Sequence, residues 1–281
     1  MKVFRTGVIL ILLTVVLVVA GGAIAGRGGM QIALGIAVVM NFAAYFFSDK
    51  IALASSGAQP VSREQLPRLY NVMERLAAKA NIPVPKLYVV PDMAPNAFAT
   101  GRNPNHASVA VTQGLLEIMN DDELEGVIAH ELSHVRNYDI LTSSIAATIA
   151  GAITWVARMG FWFGGGGDDR NRGSGLVGIL MLFLAPLAAL LLQLGISRQR
   201  EYQADASGVK MVGHANGLIS ALEKLGAYNK RIPMDVAPTT SALMIVQPLS
   251  AREMFSSLFS THPPLADRIA ALRNMTITRE G

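Results

Sequence analysis

The chain has 281 residues, with 24 Lys and Arg against 20 Asp and Glu, 51% hydrophobic residues and no Cys. Only 16% of residues are charged and mean hydropathy is +0.38, whereas a water-soluble domain carries roughly a quarter charged residues. Disorder, a collagen repeat and a disulfide scaffold are excluded, any metal must be held by His and carboxylates, and a net charge of +4 gives no reason to expect a nucleic-acid partner.

From the N-terminus, two apolar stretches of near span length follow one another, Val8 to Ala25 and Gly28 to Phe47. Each approaches the roughly 20 residues a helix needs to cross hydrocarbon. Lys2 and Arg5 precede the first, and Ala23-Ile24-Ala25 also has the form of a signal-peptidase site. The second stretch begins so soon afterwards that Gly26-Arg27-Gly28-Gly29 reads better as the tight turn of a transmembrane hairpin. The basic N-terminus places that end in the cytoplasm, and the hairpin then returns Ser48 onward to the same side.

Lys86 to Val90, Asn96 to Thr100 and Ala107 to Thr112 have strand-like composition and predict a small sheet. Asn120-Asp121-Asp122-Glu123 then has the form of a helix start, with Asn as N-cap and Glu at the capping-box position. Leu124, Val127, Ile128, Leu132 and Val135 recur at helical spacing. His130-Glu131-Leu132-Ser133-His134 therefore sits in mid-helix, where a four-residue spacing puts both imidazoles on one face within reach of one ion. Glu131 is placed beside them to act as general base.

Two further apolar stretches follow, Ile140 to Phe163 and Leu176 to Ile196, separated by the Gly-rich linker at 164–173. The first is rich in Ala, Ser and Thr and reads either as a span or as a buried helical hairpin. Beyond them, Glu201 and Asp205 share one face of a helix. A catalytic zinc takes three protein ligands and keeps a further position for water. His106, His214, His262 and a carboxylate are candidates for the third, and Glu201 is the best placed. Asp205 can then accept the second N–H of a ligating His and fix its tautomer. His106 and His214 read as loop surface. His262 precedes Pro263-Pro264 and a helix running to about Asn274, with Arg268 as a supporting candidate.

Taken together, Asn96-Ala97-Phe98-Ala99-Thr100-Gly101, His130-Glu131-Leu132-Ser133-His134, residues 197–205 and Thr261-His262-Pro263-Pro264 resemble the HtpX-type membrane zinc metalloproteases, which are related to the CAAX prenyl endoproteases. The resemblance runs over essentially the whole chain. It implies one Zn2+ per chain bound by His130, His134 and Glu201, with Glu131 as catalytic base. It also suggests main-chain substrate binding at Asn96 and Ala97 on an exposed strand edge, and a contribution of His262 to the oxyanion. Substrates would be misfolded or damaged membrane proteins with unfolded cytoplasmic segments.

The expected architecture is α+β and helix-dominated: an integral membrane protein of four transmembrane helices with a gluzincin-like domain assembled from two segments. Its expected parts are a hairpin at 1–47, the first catalytic part with the zinc helix at 48–139, a second hairpin at 140–196, and the second catalytic part at 197–281. Ligands on both sides of 140–196 must share a face of the bilayer, which requires an even number of crossings between them. The catalytic domain and both termini are thus expected in the cytoplasm, at the plasma (inner) membrane. Processing of prenylated proteins and a non-catalytic membrane scaffold are the rival readings.

Overall fold

The computed structural model describes residues 2–146, 148–149, 198–229 and 263–275. His262 and most of the two later apolar stretches lie outside the described residues.

Helix α1 (Lys2–Ser55) is broken at Ala25 and Gly26. Gly26 has φ 59° and ψ −144°, a combination open essentially to glycine alone. The two halves fold back on each other, because Asn41 Nδ2 donates to Leu10 O at 3.3 Å and to Thr14 Oγ1 at 2.9 Å. The break falls at the start of the expected turn. The second half, Ala25–Ser55, has 31 residues and is long and apolar enough to cross a membrane; it is the one such helix among the described residues. Its exposed face carries Ile32, Val38, Val39 and Phe42.

Among the described residues, four strands follow the hairpin: β1 (Gln59–Pro60), β2 (Lys86–Val90), β3 (Ala97–Gly101) and β4 (Ala107–Thr112), in the order β1-β2-β4-β3. β2 and β4 run parallel, with Leu87 opposite Val109, and β3 joins β4 antiparallel, with Ala99 opposite Val109. Side chains alternate between the two faces. Leu87, Ala97, Ala99, Val109 and Val111 enter the main core, whereas Val90, Phe98 and Ala110 meet Ala52 and Leu53 from the end of α1.

The main core is closed by helices α2 (Pro67–Ala80), α4 (Asp121–Arg136), α5 (Arg198–Val212), α6 (Asn216–Asn229) and α7 (Leu265–Arg273), with the short α3 (Gln113–Ile118) linking β4 to α4. α4 is central and packs chiefly on α5, α6 and α2. It begins where the sequence predicts: Asn120 Oδ1 accepts from Glu123 N and Glu123 Oε2 accepts from Asn120 N, both at 2.9 Å. At its other end, Asn137 and Tyr138 form a turn, and residues 139–146 resume as helix. Leu141 and Ile145 of that segment pack with Leu13 and Ala44 of the hairpin, and Thr142 shares a buried 3.1 Å hydrogen bond with Thr6.

Candidate functional site

His130 and His134 stand one turn apart on α4, with the Nε2 atoms 3.2 Å from each other. From α5, Glu201 brings Oε2 to 3.6 Å from His130 Nε2 and Oε1 to 3.5 Å from His134 Nε2. One ligand atom from each of the three residues lies within 4.8 Å of the others. α5 can come this close because Gly208 faces α4: a Cβ there would meet His130 N at 3.1 Å and the Ala129 carbonyl carbon at 3.2 Å. The structure thus brings together His130, His134 and Glu201 from two distant parts of the chain.

The outward atoms of both rings face carboxylates. Asp205 Oδ1 lies 2.8 Å from His130 Nδ1, and Asp139 Oδ2 lies 3.5 Å from His134 Nδ1. A carboxylate only accepts, so these contacts favour the tautomer with Nδ1 protonated and Nε2 free to turn a lone pair inward. Two imidazole nitrogens and a carboxylate oxygen converging in this way fit a divalent cation of the zinc type. Arg268, 1% exposed, completes the His130 side with Nε and Nη2 on Asp205 at 2.9 and 2.6 Å.

Glu131 is 2% exposed. Burial first, with Glu201 adding to it against the opposing pull of His134, pushes its carboxyl up to about 7. Burial lowers the His130 imidazole. It acts in the same sense on His134, but the Asp139, Glu201 and Glu131 carboxylates outweigh it and raise that ring. Burial opposes ionisation of Asp205 as well, and Arg268 and His130 reverse it, holding that carboxyl below its usual range.

The remaining predicted residues fall as follows. Asn96 and Ala97 are each 1% exposed, so the strand edge expected to be open is covered. Asn96 Oδ1 accepts from Ala97 N at 3.0 Å, and Ser144 Oγ lies 3.4 Å from Gly101 N and 2.7 Å from Thr100 Oγ1. Ser144, on the helical segment after α4, thus meets the far end of β3 at Thr100 and Gly101. His106 is exposed in a 3-10 turn with its Nδ1 2.9 Å from Asn103 Oδ1, and His214 is exposed between α5 and α6. Sequence reasoning missed Asp139 altogether and gave Arg268 only a secondary place. A lone Asp just past the motif and a lone Arg near the C-terminus carry no spacing signal.

A His-Glu-x-x-His helix under a small sheet, with a Glu from a distant helix completing an ion-sized cluster, defines the class of metallopeptidases. Comparison with known proteins gives the particular family. Residues 62–276 match peptidase family M48. The chain is 53% identical over 273 residues to a protease HtpX homolog of Desulfatibacillum aliphaticivorans, covering 95% of this chain and 88% of that one. It is 50% identical over 279 residues to a protease HtpX homolog of Syntrophobacter fumaroxidans, covering 97% and 99%. Among solved structures it is similar to Ste24p of S. mikatae, with a TM-score of 0.52 and 22% identity; 95% of this chain matches and spans 62% of that one, a likeness of fold. The chain belongs to peptidase family M48 and is a membrane-bound metalloprotease that hydrolyses peptide bonds.

Proposed function

We propose that this protease uses one zinc ion, held by His130 Nε2, His134 Nε2 and Glu201, to cut misfolded or damaged membrane proteins at segments exposed to the cytoplasm. The observation that carries the reading is the convergence of these three side chains, 3.2 to 3.6 Å apart, beside the buried Glu131. When bound, the metal supplies Lewis acidity for the scissile carbonyl and acidifies water.

The chain's own residues do the rest. Glu131 takes a proton from the attacking water and returns it to the amine nitrogen as the C–N bond breaks. Burial raises the Glu131 carboxyl, the sense that favours proton exchange with water. Asp205, gripped by Arg268, fixes the His130 tautomer. Asn96 and Ala97 bind substrate main chain, and His262 donates to the oxyanion. The covered state of the β3 edge means that a substrate strand displaces the side-chain contacts there before pairing.

The membrane part is read as four transmembrane helices, two in the hairpin at 1–47 and two within 140–196. The catalytic domain is then assembled from 48–139 and 197–281, with both termini cytoplasmic at the inner membrane. The contacts of Leu141, Thr142 and Ile145 with the hairpin support a third helix continuing into the same layer. The HtpX-like relatives support a role in membrane-protein quality control.

Detergent-purified protein tests the reading directly. One equivalent of zinc and casein cleavage that stops with chelator and returns with zinc are expected. Cleavage that survives both chelation and Glu131→Gln would overturn it.

A further inference from the structure

Asp139 stands at the meeting point of three elements. It is 5% exposed and heads the helical segment at 139–146. Its Oδ2 lies 3.5 Å from Nδ1 of His134, on α4, and its Oδ1 lies 3.7 Å from Nη1 of Arg200, the residue before Glu201 on α5. The backbone reaches this position through Tyr138, whose φ of 60° is left-handed. For a bulky aromatic residue that conformation is a true outlier and costs about 1–3 kcal/mol. What it achieves is a reversal tight enough to bring Asp139 back over the last turn of α4, onto a ring five residues upstream.

The result repeats the arrangement on the other ligand. His130 is backed by Asp205 and Asp205 by Arg268; His134 is backed by Asp139 and Asp139 by Arg200. The two differ in tightness. Asp205 is held at 2.8 Å from its ring and 2.6 Å from its arginine, against 3.5 and 3.7 Å for Asp139. They also differ in anchorage: Asp205 lies within α5, whereas Asp139 begins the segment whose Leu141, Thr142 and Ile145 pack on the N-terminal hairpin.

We propose that Asp139 is a positioning residue for His134: it accepts the Nδ1 proton and presents Nε2 to the metal, with Arg200 steadying the carboxylate. Through it the hairpin-packed helix and the second metal ligand form one mechanical unit. The inference rests on the metal site proposed above and concerns a residue outside its three ligands.

Metal binding by the purified full-length protein tests it, with Zn2+ competed against a chromophoric chelator and Co2+ followed by its visible absorption. Asp139→Asn should weaken Zn2+ binding about ten- to a hundredfold, the range for a lost outer partner of a ligating His. It should also change the Co2+ bands, and the metal-free protein should still melt in one cooperative transition. Asp139→Ala should lose at least as much, and Asp139→Glu should recover most of the affinity. Wild-type affinity and Co2+ spectrum in both Asn and Ala variants would overturn the proposal. So would failure of both variants to fold, because Asp139 would then serve the fold and not the ligand. Metal binding that is indifferent to Glu201→Ala alone would instead overturn the three-ligand site.

Discussion

Arg268 grips Asp205 through two hydrogen bonds, Nε to Oδ2 at 2.9 Å and Nη2 to Oδ1 at 2.6 Å. Both residues are buried, at 1% and 2% exposure, and Asp205 Oδ1 also faces His130. Removing one partner of such a pair leaves an uncompensated charge in the interior and costs about 3–5 kcal/mol. Arg268→Met is therefore expected to destabilise the protein strongly, measured as the melting temperature of the metal-free form in detergent. Asp205→Asn should weaken zinc binding about ten- to a hundredfold. Wild-type zinc affinity in Asp205→Asn would reduce the pair to a role in packing.

Glu131→Gln should abolish cleavage and retain zinc, since the amide cannot take a proton while neither ring is touched. His134→Ala and Glu201→Ala should lose metal together with activity. Full zinc occupancy in Glu201→Ala, read by elemental analysis, would hand the third position to another side chain. His262→Ala should keep zinc and lower turnover about a hundredfold, the scale of a lost oxyanion donor. Normal turnover would leave it a helix-capping residue.

Much of this site was legible because its signals are local. The start of α4 is written in Asn120 and Glu123, each bonded to the other's backbone within one turn, and the His130 and His134 pair follows from helical pitch alone. The three strands of β-like composition match β2 and β4 at both ends and β3 to within a residue. Glu201 and Asp205 were readable as one face of a helix. What was not legible depends on tertiary packing. Nothing in the sequence says that Ser144 covers β3 or that Asp139 returns to His134, because both contacts depend on how the segment at 139–146 lies. Arg268 lies 63 positions from Asp205, and no periodicity links them. The two-residue β1 is too short to leave a pattern.

Stability should also depend on pH through Glu123. It accepts from Lys224 Nζ at 2.7 Å, Ser220 Oγ at 2.6 Å and Asn120 N at 2.9 Å, tying α4 to α6. Burial alone would raise its carboxyl, but these donors outweigh it and hold the group below its usual value. A carboxyl depressed in the folded state stabilises above its unfolded pKa, near 4.5, and that stability disappears as pH falls through the lower folded value. Glu123→Gln should cost about 1–3 kcal/mol at pH 7. The melting-temperature gap to wild type should then narrow steadily below pH 4.5. A gap that stays constant from pH 7 to pH 3 would show that packing, not charge, carries the effect.

Topology can be read by thiol labelling, since the chain has no Cys of its own. Four crossings predict that a Cys at Ser174 reacts with an impermeant reagent in intact cells and that one at Ser62 does not. A Cys at Ala227, exposed on α6, should stay unlabelled as well. Labelling of positions 62 and 227 from opposite faces would break the three-ligand site. Labelling of both from outside would invert the compartment.

The order of these residues along the chain also sets when the protease can first act. His130 and His134 leave the ribosome about 70 residues before Glu201, and Arg268 emerges later still. At roughly 5–20 residues per second, roughly 7–28 seconds of synthesis separate the two histidines from Arg268. Through that interval the two histidines stand without their carboxylate partner on α5. Until the stretch at 140–196 has been made and α5 has docked with Gly208 against α4, the cluster of His130, His134 and Glu201 is incomplete.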